Sequence, residues 1–229
     1  MLLRAFKEAL TRVGARTPDS LLHQIQMVLN YMKLGRWMAR RGFGVPSRRV
    51  RDRTEVFNVV AKNVRDREVL YLEFGVFEGQ SMRYWSNALK NPKARLHGFD
   101  SFEGLPEDFD VDGPHVKGTF DVGGRIPKID DSRITFHKGW FDQTVPKFTP
   151  PNHDVMVLCM DADLFSSTKV VLDSLRPWIR KGTYIYFDDM SRPEHEPRAF
   201  DEFMKTTGLQ FRLVVAEQSL NTAFFVCLG

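Results

Sequence analysis

The stretch Val69 to Lys90, VLYLEFGVFEGQSMRYWSNALK, decides the fold. Its first six residues are apolar or aromatic except Glu73, the pattern of a strand buried on both faces. Gly75 and Gly79 follow, and helical periodicity begins at Ser81. A strand that turns through glycines into a helix opens a β-α unit, and the helix start offers unpaired N–H groups to a ligand. The same alternation continues downstream. Strands are predicted at Val69–Phe74, Arg95–Phe99, Ile134–His137, Val155–Met160, Tyr184–Phe187, Phe211–Ala216 and Ala223–Leu228. Helices are predicted at Ser81–Lys90, Ser167–Ile179 and Pro197–Thr206. Too few residues separate the last two strands for a crossover helix, so they pair antiparallel. The chain therefore reads as an α/β protein, a Rossmann-like, seven-stranded, mostly parallel sheet with an antiparallel last strand and helices on both faces.

Upstream, Leu2, Leu3, Phe6, Ala9, Leu10 and Val13 recur at helical spacing. So do Leu21, Leu22, Ile25, Val28, Leu29 and Met32, after the capping candidates Asp19 and Ser20. The second helix should end near Gly42 and Gly44, before Pro46, and a third runs through Val56, Phe57, Val60, Ala61 and Val64. The Gly/Pro run divides the chain into an N-terminal helical extension, residues 1–50, and a core domain, residues 51–229. The extension holds ten Lys or Arg against Glu8 and Asp19, a net of +8, while the whole chain is at +4, so the remainder carries −4. A solvated basic face is the commonest meaning of such a leader. Peripheral contact with an anionic membrane is the other reading kept open, and no nucleic acid is expected. The apolar stripes must be buried somewhere, so these helices are expected to cover the active site or pair subunits in a homo-oligomer.

No apolar run is long enough to span a bilayer, and MLLRAFKEALTRVGAR mixes charge into its apolar residues unlike a secretory signal. A cytoplasmic location follows as the expectation. Cys159 and Cys227 lie inside apolar strand-like runs, where a thiol behaves as a small buried hydrophobe.

Beyond the glycine turn, the second strand ends at Asp100, suitably placed along the chain to accept from ribose hydroxyls. A purely structural glycine turn is the competing reading. The G-x-G-x-x-G fingerprint of nicotinamide and flavin enzymes is absent, and Glu73 stands before the first glycine, where a pyrophosphate would be repelled. S-adenosylmethionine carries a positive sulfonium and amine and no phosphate, so it tolerates acids nearby. The long Gly-, Pro- and Asp-rich stretch Ser101 to Arg133 reads as a lid or a surface insertion.

Two further segments carry acids: Asp161 and Asp163 follow the fourth strand, and Asp188 and Asp189 follow the fifth. Neighbouring strands would bring all four to one site beyond the carboxyl ends of the sheet. Clustered carboxylates repel unless protons or a cation intervene, and an all-oxygen set suits a hard ion such as Mg²⁺. Taken singly, each aspartate could be a strand-end cap or turn residue. His137 and His195 are reserve candidates for a base, although a lone histidine in such a place is more often structural.

The chain resembles the macrocin O-methyltransferase (TylF-type) family of class I S-adenosylmethionine-dependent methyltransferases. The resemblance rests on EFGVFEGQS, GFDSFEGLPEDF, KGTF, KGWFDQTVP, MDADLFSSTKVVLDSLRPWI and YFDDM, in that order from Val69 to about Phe203. It implies the class I methyltransferase fold and an O-methyltransferase that uses S-adenosylmethionine and Mg²⁺ on a hydroxyl of a sugar, glycoside or other small natural-product-like acceptor. By position, Asp161, Asp188 and Asp189 would hold the metal and Asp163 would be the general base. Glu73, Gly75, Asp100 and Ser101 would touch the cofactor, with Gly139, Trp140 and Phe141 near its adenine. Gly79 joins the cofactor set through the glycine turn, and Asp161 belongs to both sets. Gln80, Ala162 and Lys181 depart from the family pattern, at positions where glycine is frequent. A non-catalytic S-adenosylmethionine-binding regulatory or assembly protein and an RNA methyltransferase are the alternatives.

Overall fold

A computed structural model describes residues 2–44, 49–109 and 115–229. Eight strands form one sheet: β1 (Arg49–Val50), β2 (Val69–Phe74), β3 (Arg95–Asp100), β4 (Ile134–Lys138), β5 (Val155–Met160), β6 (Tyr184–Phe187), β7 (Phe211–Glu217) and β8 (Ala223–Cys227). Their order is β1-β7-β8-β6-β5-β2-β3-β4. Strand β8 runs antiparallel to both β6 and β7, and all the other pairings are parallel. Seven strands match the predicted runs to within a residue at each end. The eighth, β1, was missed because two residues at a sheet edge carry no periodic signal.

The helices are α1 (Leu2–Gly14), α2 (Asp19–Arg40), α3 (Arg53–Val64), α4 (Gln80–Ala88), α5 (Phe141–Thr144), α6 (Phe165–Leu175) and α7 (Glu196–Thr207). Strands β2 and β5 are buried along their whole length, as their unbroken apolar runs require. Alternate β2 side chains serve opposite cores. Leu70, Leu72 and Phe74 join Val171, Leu172, Leu175, Phe200 and Phe203 of α6 and α7. Val69 and Tyr71 join Val56, Phe57 and Val60 of α3 and Met82 and Trp85 of α4. Helix α3 starts firmly because the Asp52 side chain accepts from the Glu55 N–H at 2.9 Å.

The leader is helical, with two differences from expectation. Pro18, and not Asp19 or Ser20, precedes the first turn of α2, which has no side-chain cap. Only the second half of α2 packs on the core domain, through Leu34, Met38 and Trp37. Pro46 lies outside the described residues. Among those described, no helix is long and apolar enough to cross a membrane. Cys159 and Cys227 are buried free thiols.

On β3 and β4, His97 Nδ1 lies 2.9 Å from His137 Nε2, beside the ring of Phe148. Burial, reinforced by His137 and Arg95, pushes the His97 pKa down to about 4 from an ordinary 6.5. A histidine that titrates lower when folded adds stability above its unfolded pKa, and that stability is lost as pH falls through 6.5 toward 4. Replacing His97 by Asn should therefore remove roughly 2 kcal/mol of acid sensitivity over this interval, read from paired urea titrations at pH 7 and pH 4. Parallel curves for the two proteins would contradict it.

Candidate active site

The carboxyl ends of β2, β3, β5 and β6 open into a cavity of about 820 Å³, the size class of small-molecule sites. One wall is the turn after β2. Gly75 has φ 91°, and a Cβ built on it would lie 1.8 Å from the Asp161 carbonyl oxygen. Only glycine lets the β2 turn approach the end of β5 this closely. Asp100, at the end of β3, braces the turn: its Oδ2 accepts from the Val76 and Phe77 N–H groups at 2.7 and 2.8 Å. Its Oδ1 accepts from Phe102 N–H at 2.7 Å.

Of the residues assigned to a cofactor, Gly75, Asp100, Ser101, Gly139, Trp140, Phe141 and Asp161 line this cavity. Glu73 and Gly79 are not among the lining residues. Glu73 is 1% exposed and accepts from the Tyr71 hydroxyl at 2.8 Å, inside the core beneath the turn. Burial pushes its pKa up to about 8 despite that hydrogen bond, so it stays largely neutral at pH 7. The electrostatic case against a pyrophosphate therefore loses its footing, because β-strand alternation turns this acid away from the ligand. Gly79 instead starts α4, packed against Pro127 and Ile129.

Asp100 is thus committed to backbone donors as well as to the cavity. Asp100→Ala would strand the three N–H groups that its carboxylate oxygens now satisfy. S-adenosylmethionine affinity should fall at least about tenfold in calorimetry. Unchanged affinity would exclude Asp100 from the cofactor site.

The opposite wall gathers the four aspartates. Strands β5 and β6 are parallel neighbours, with Met160 beside Phe187, so Asp161, Asp163, Asp188 and Asp189 all reach the cavity. Asp163 has φ 57°, a left-handed conformation that Asp tolerates better than most residues and that recurs at functional sites. Asp163 and Asp189 share a hydrogen bond. Burial, then repulsion from neighbouring carboxylates, pushes Asp163 up to about 9 and Asp161 up to about 7. Such crowding is the electrostatic condition that an added cation relieves.

Several residues of this site carried no signal in the sequence reading. Arg53, on the first turn of α3, places Nη2 2.5 Å from Asp161 Oδ2 and Nε 3.4 Å from Asp188 Oδ1. Burial opposes its charge, but Asp161, Tyr186 and Asp188 outweigh burial and keep the guanidinium protonated. Glu196 is fully buried and accepts from the Ala162 N–H at 3.2 Å and the Asp189 N–H at 3.0 Å. It ties together the two loops that carry the aspartates. Asn221 adds a second tie, donating from Nδ2 to the Asp188 carbonyl at 3.0 Å. Arg192 and His115 also line the cavity; burial and then Asp188 push Asp189 up to about 6, and Arg192 and His115 only partly oppose that rise.

The donor chemistry fits a hard divalent ion, yet among the described residues no three acids or histidines are disposed to hold one as they stand. Arg53 takes the cation's place between Asp161 and Asp188. Neither reserve histidine lines the cavity: His137 stacks on Phe99, and His195 packs against Phe109. Leu105, Pro106, Phe109, Lys117 and Phe120 from the long 101–133 stretch form part of the cavity wall.

The sheet order and the position of the cavity define a class I methyltransferase fold, and a solved structure agrees. A crystal structure of CalS11, a calicheamicin methyltransferase, superposes with a TM-score of 0.58 at 20% identity, covering 96% of this chain and 90% of that one. Residues 45–219 match the family model described as Macrocin-O-methyltransferase (TylF), and the chain belongs to that family. Among curated relatives, the 8-demethyl-8-(2,3-dimethoxy-alpha-L-rhamnosyl)-tetracenomycin-C 4'-O-methyltransferase of Streptomyces olivaceus is 29% identical over 140 residues, 52% of this chain and 51% of the relative. The demethyldecarbamoylnovobiocin O-methyltransferase of Streptomyces niveus is 32% identical over 88 residues, 38% of this chain and 33% of the relative. The chain thus spans about half or less of the length of these two relatives.

Proposed function

We propose that this protein is an S-adenosylmethionine-dependent O-methyltransferase acting on a hydroxyl of a sugar, glycoside or similar small natural-product-like acceptor. The observation that carries the proposal is one cavity with two chemically distinct walls: the Gly75–Asp100 turn on one side and the four-aspartate group on the other. The named relatives, O-methyltransferases of natural products, support the acceptor class. S-adenosylmethionine supplies an electrophilic methyl group on a sulfonium. A divalent cation such as Mg²⁺, held by Asp161, Asp188 and Asp189, would supply charge that lowers the acceptor hydroxyl's pKa and relieves the repulsion on Asp163.

The chain's own residues then have separate tasks. The turn at Gly75, with Asp100 and Ser101, receives the nucleoside, and Trp140 offers a ring to its adenine. Glu196 and Asn221 hold the aspartate loops at fixed separation, which keeps the acceptor oxygen in line with the methyl group. Asp163 takes the hydroxyl proton.

The test is methyl transfer from labelled cofactor to a panel of sugars, glycosides, phenols and lipid-linked saccharides, with and without chelator. Transfer to a hydroxyl, lost on chelation, is expected. Cofactor binding without transfer to any acceptor would favour a regulatory protein, and full activity without divalent ions would remove the metal. Arg53→Met separately tests the donor set. Freed of its internal cation, the site should bind Mn²⁺ about tenfold more tightly in calorimetry, whereas unchanged affinity would place the metal elsewhere.

A further inference from the structure

The N-terminal helices leave an apolar surface that the core domain does not cover. Of the sixteen exposed large hydrophobic residues among those described, eleven belong to α1 and α2. Every residue from Leu3 to Val13 is exposed. At 100° per residue, Leu3, Phe6, Leu10 and Val13 share one face of α1, bordered on one side by Lys7, with Arg4, Glu8 and Arg12 farther round the helix. Helix α2 is two-faced. Leu34, Trp37, Met38 and Arg41 face the core domain, where Trp37 and Arg41 bond to Asp201 of α7 at 2.8 and 2.6 Å. Leu21, Leu22, Ile25, Val28, Leu29 and Met32 line the opposite side, and Arg36 and Arg40 continue that side at its C-terminal end.

We propose that this face docks on an anionic lipid membrane, with the apolar stripes in the acyl boundary and the flanking basic side chains at the headgroups. An apolar face bordered by Lys and Arg is the pattern of a helix lying in the membrane interface. Charge selects the occupant. The leader's net +8 matches an anionic surface, whereas two copies of this chain joined face to face would set +8 against +8. The core domain carries −4, so the leader is the end of the molecule that such a surface attracts. Docked α2 then fixes the core domain relative to the lipid, because Lys33 also pairs with Glu194 at 2.6 Å, two residues before Glu196.

Cosedimentation of the full chain with vesicles of phosphatidylcholine, alone or mixed with phosphatidylglycerol, tests the proposal. Binding at least about tenfold tighter to the anionic vesicles, and weakened by salt, is expected. The exposed double replacement Phe6→Ser with Ile25→Ser should keep the circular dichroism spectrum and cofactor binding while losing at least about tenfold in vesicle affinity. Failure to bind either vesicle overturns the proposal. So does a protein that ignores lipid but forms a dimer dissociated by Ile25→Ser, or one that binds RNA instead. Vesicle binding is read without methyl transfer, so its outcome is independent of the proposed reaction.

Discussion

Replacing Asp163 by Asn lowers kcat by about 10²- to 10⁴-fold and leaves S-adenosylmethionine affinity nearly unchanged, as the proposed proton transfer requires. The change is unusually clean for a buried acid. Asparagine also tolerates the left-handed backbone that Asp163 adopts at φ 57°, so no main-chain strain is added. Its amide can keep a hydrogen bond to Asp189, which Asp163 makes already. What disappears is the ability to accept a proton. Burial, then Asp189, holds the carboxyl up at about 9, so without a cation it is largely neutral at pH 7, and Asn removes the cost of protonating it on folding; thermal stability should hold or rise. Single-turnover rates, cofactor calorimetry and a melting curve on the same preparation separate these effects. A variant Asp163→Asn that transfers methyl at the parent rate would move the base elsewhere, with His115 the first candidate because it lines the cavity.

Gly75→Ala has the largest expected effect on the protein itself, a loss of more than about 4 kcal/mol of stability. Two penalties coincide. The backbone at φ 91° is costly for any residue with a Cβ, and the new Cβ would sit 1.8 Å from the Asp161 carbonyl oxygen. The obstacle is main chain, and the Asp161 N–H already donates to the Phe74 carbonyl at 2.9 Å, so neither strand end can move aside freely. Insoluble protein, or a molten species that binds no cofactor, is expected. Gly208→Ala serves as the control, since it also has positive φ but open space around it, and should cost far less. Equal losses in the two variants would show that backbone conformation alone decides the cost, without the close approach of β2 to β5.

Much of this architecture was legible along the chain. The runs VLYLEF and VMVLCM are strands because residues buried on both faces must be apolar throughout, and they form β2 and β5 as predicted. The aspartate pairs were equally visible, since each directly follows such a run. Parallel pairing of neighbouring strands then leaves only one end of the sheet for all four. The amphipathic leader was also read correctly as helical, because its apolar residues recur at 3.6-residue spacing. What covers its apolar stripes was not legible. Periodicity says which face is apolar and nothing about what covers it, and α1 remains exposed.

Local patterns along the chain therefore determined the strands, the helices and the end of the sheet where the acids meet. Tertiary structure alone decided which side chains confront those acids. Arg53 stands 108 positions from Asp161, and Glu196 reaches back 34 positions to Ala162, yet both lie within hydrogen-bonding distance. Neither has a neighbouring motif to announce it, because an arginine on the first turn of one helix and a glutamate on the first turn of another are ordinary residues for such places. Glu73 makes the converse point: the family resemblance implied a cofactor contact for it, and the pleat of β2 turned it into the core toward Tyr71. Contacts between distant segments depend on strand order and on the direction each side chain leaves the sheet. Both are settled only when the whole chain packs, since the burial that drives packing is shared among all the elements at once.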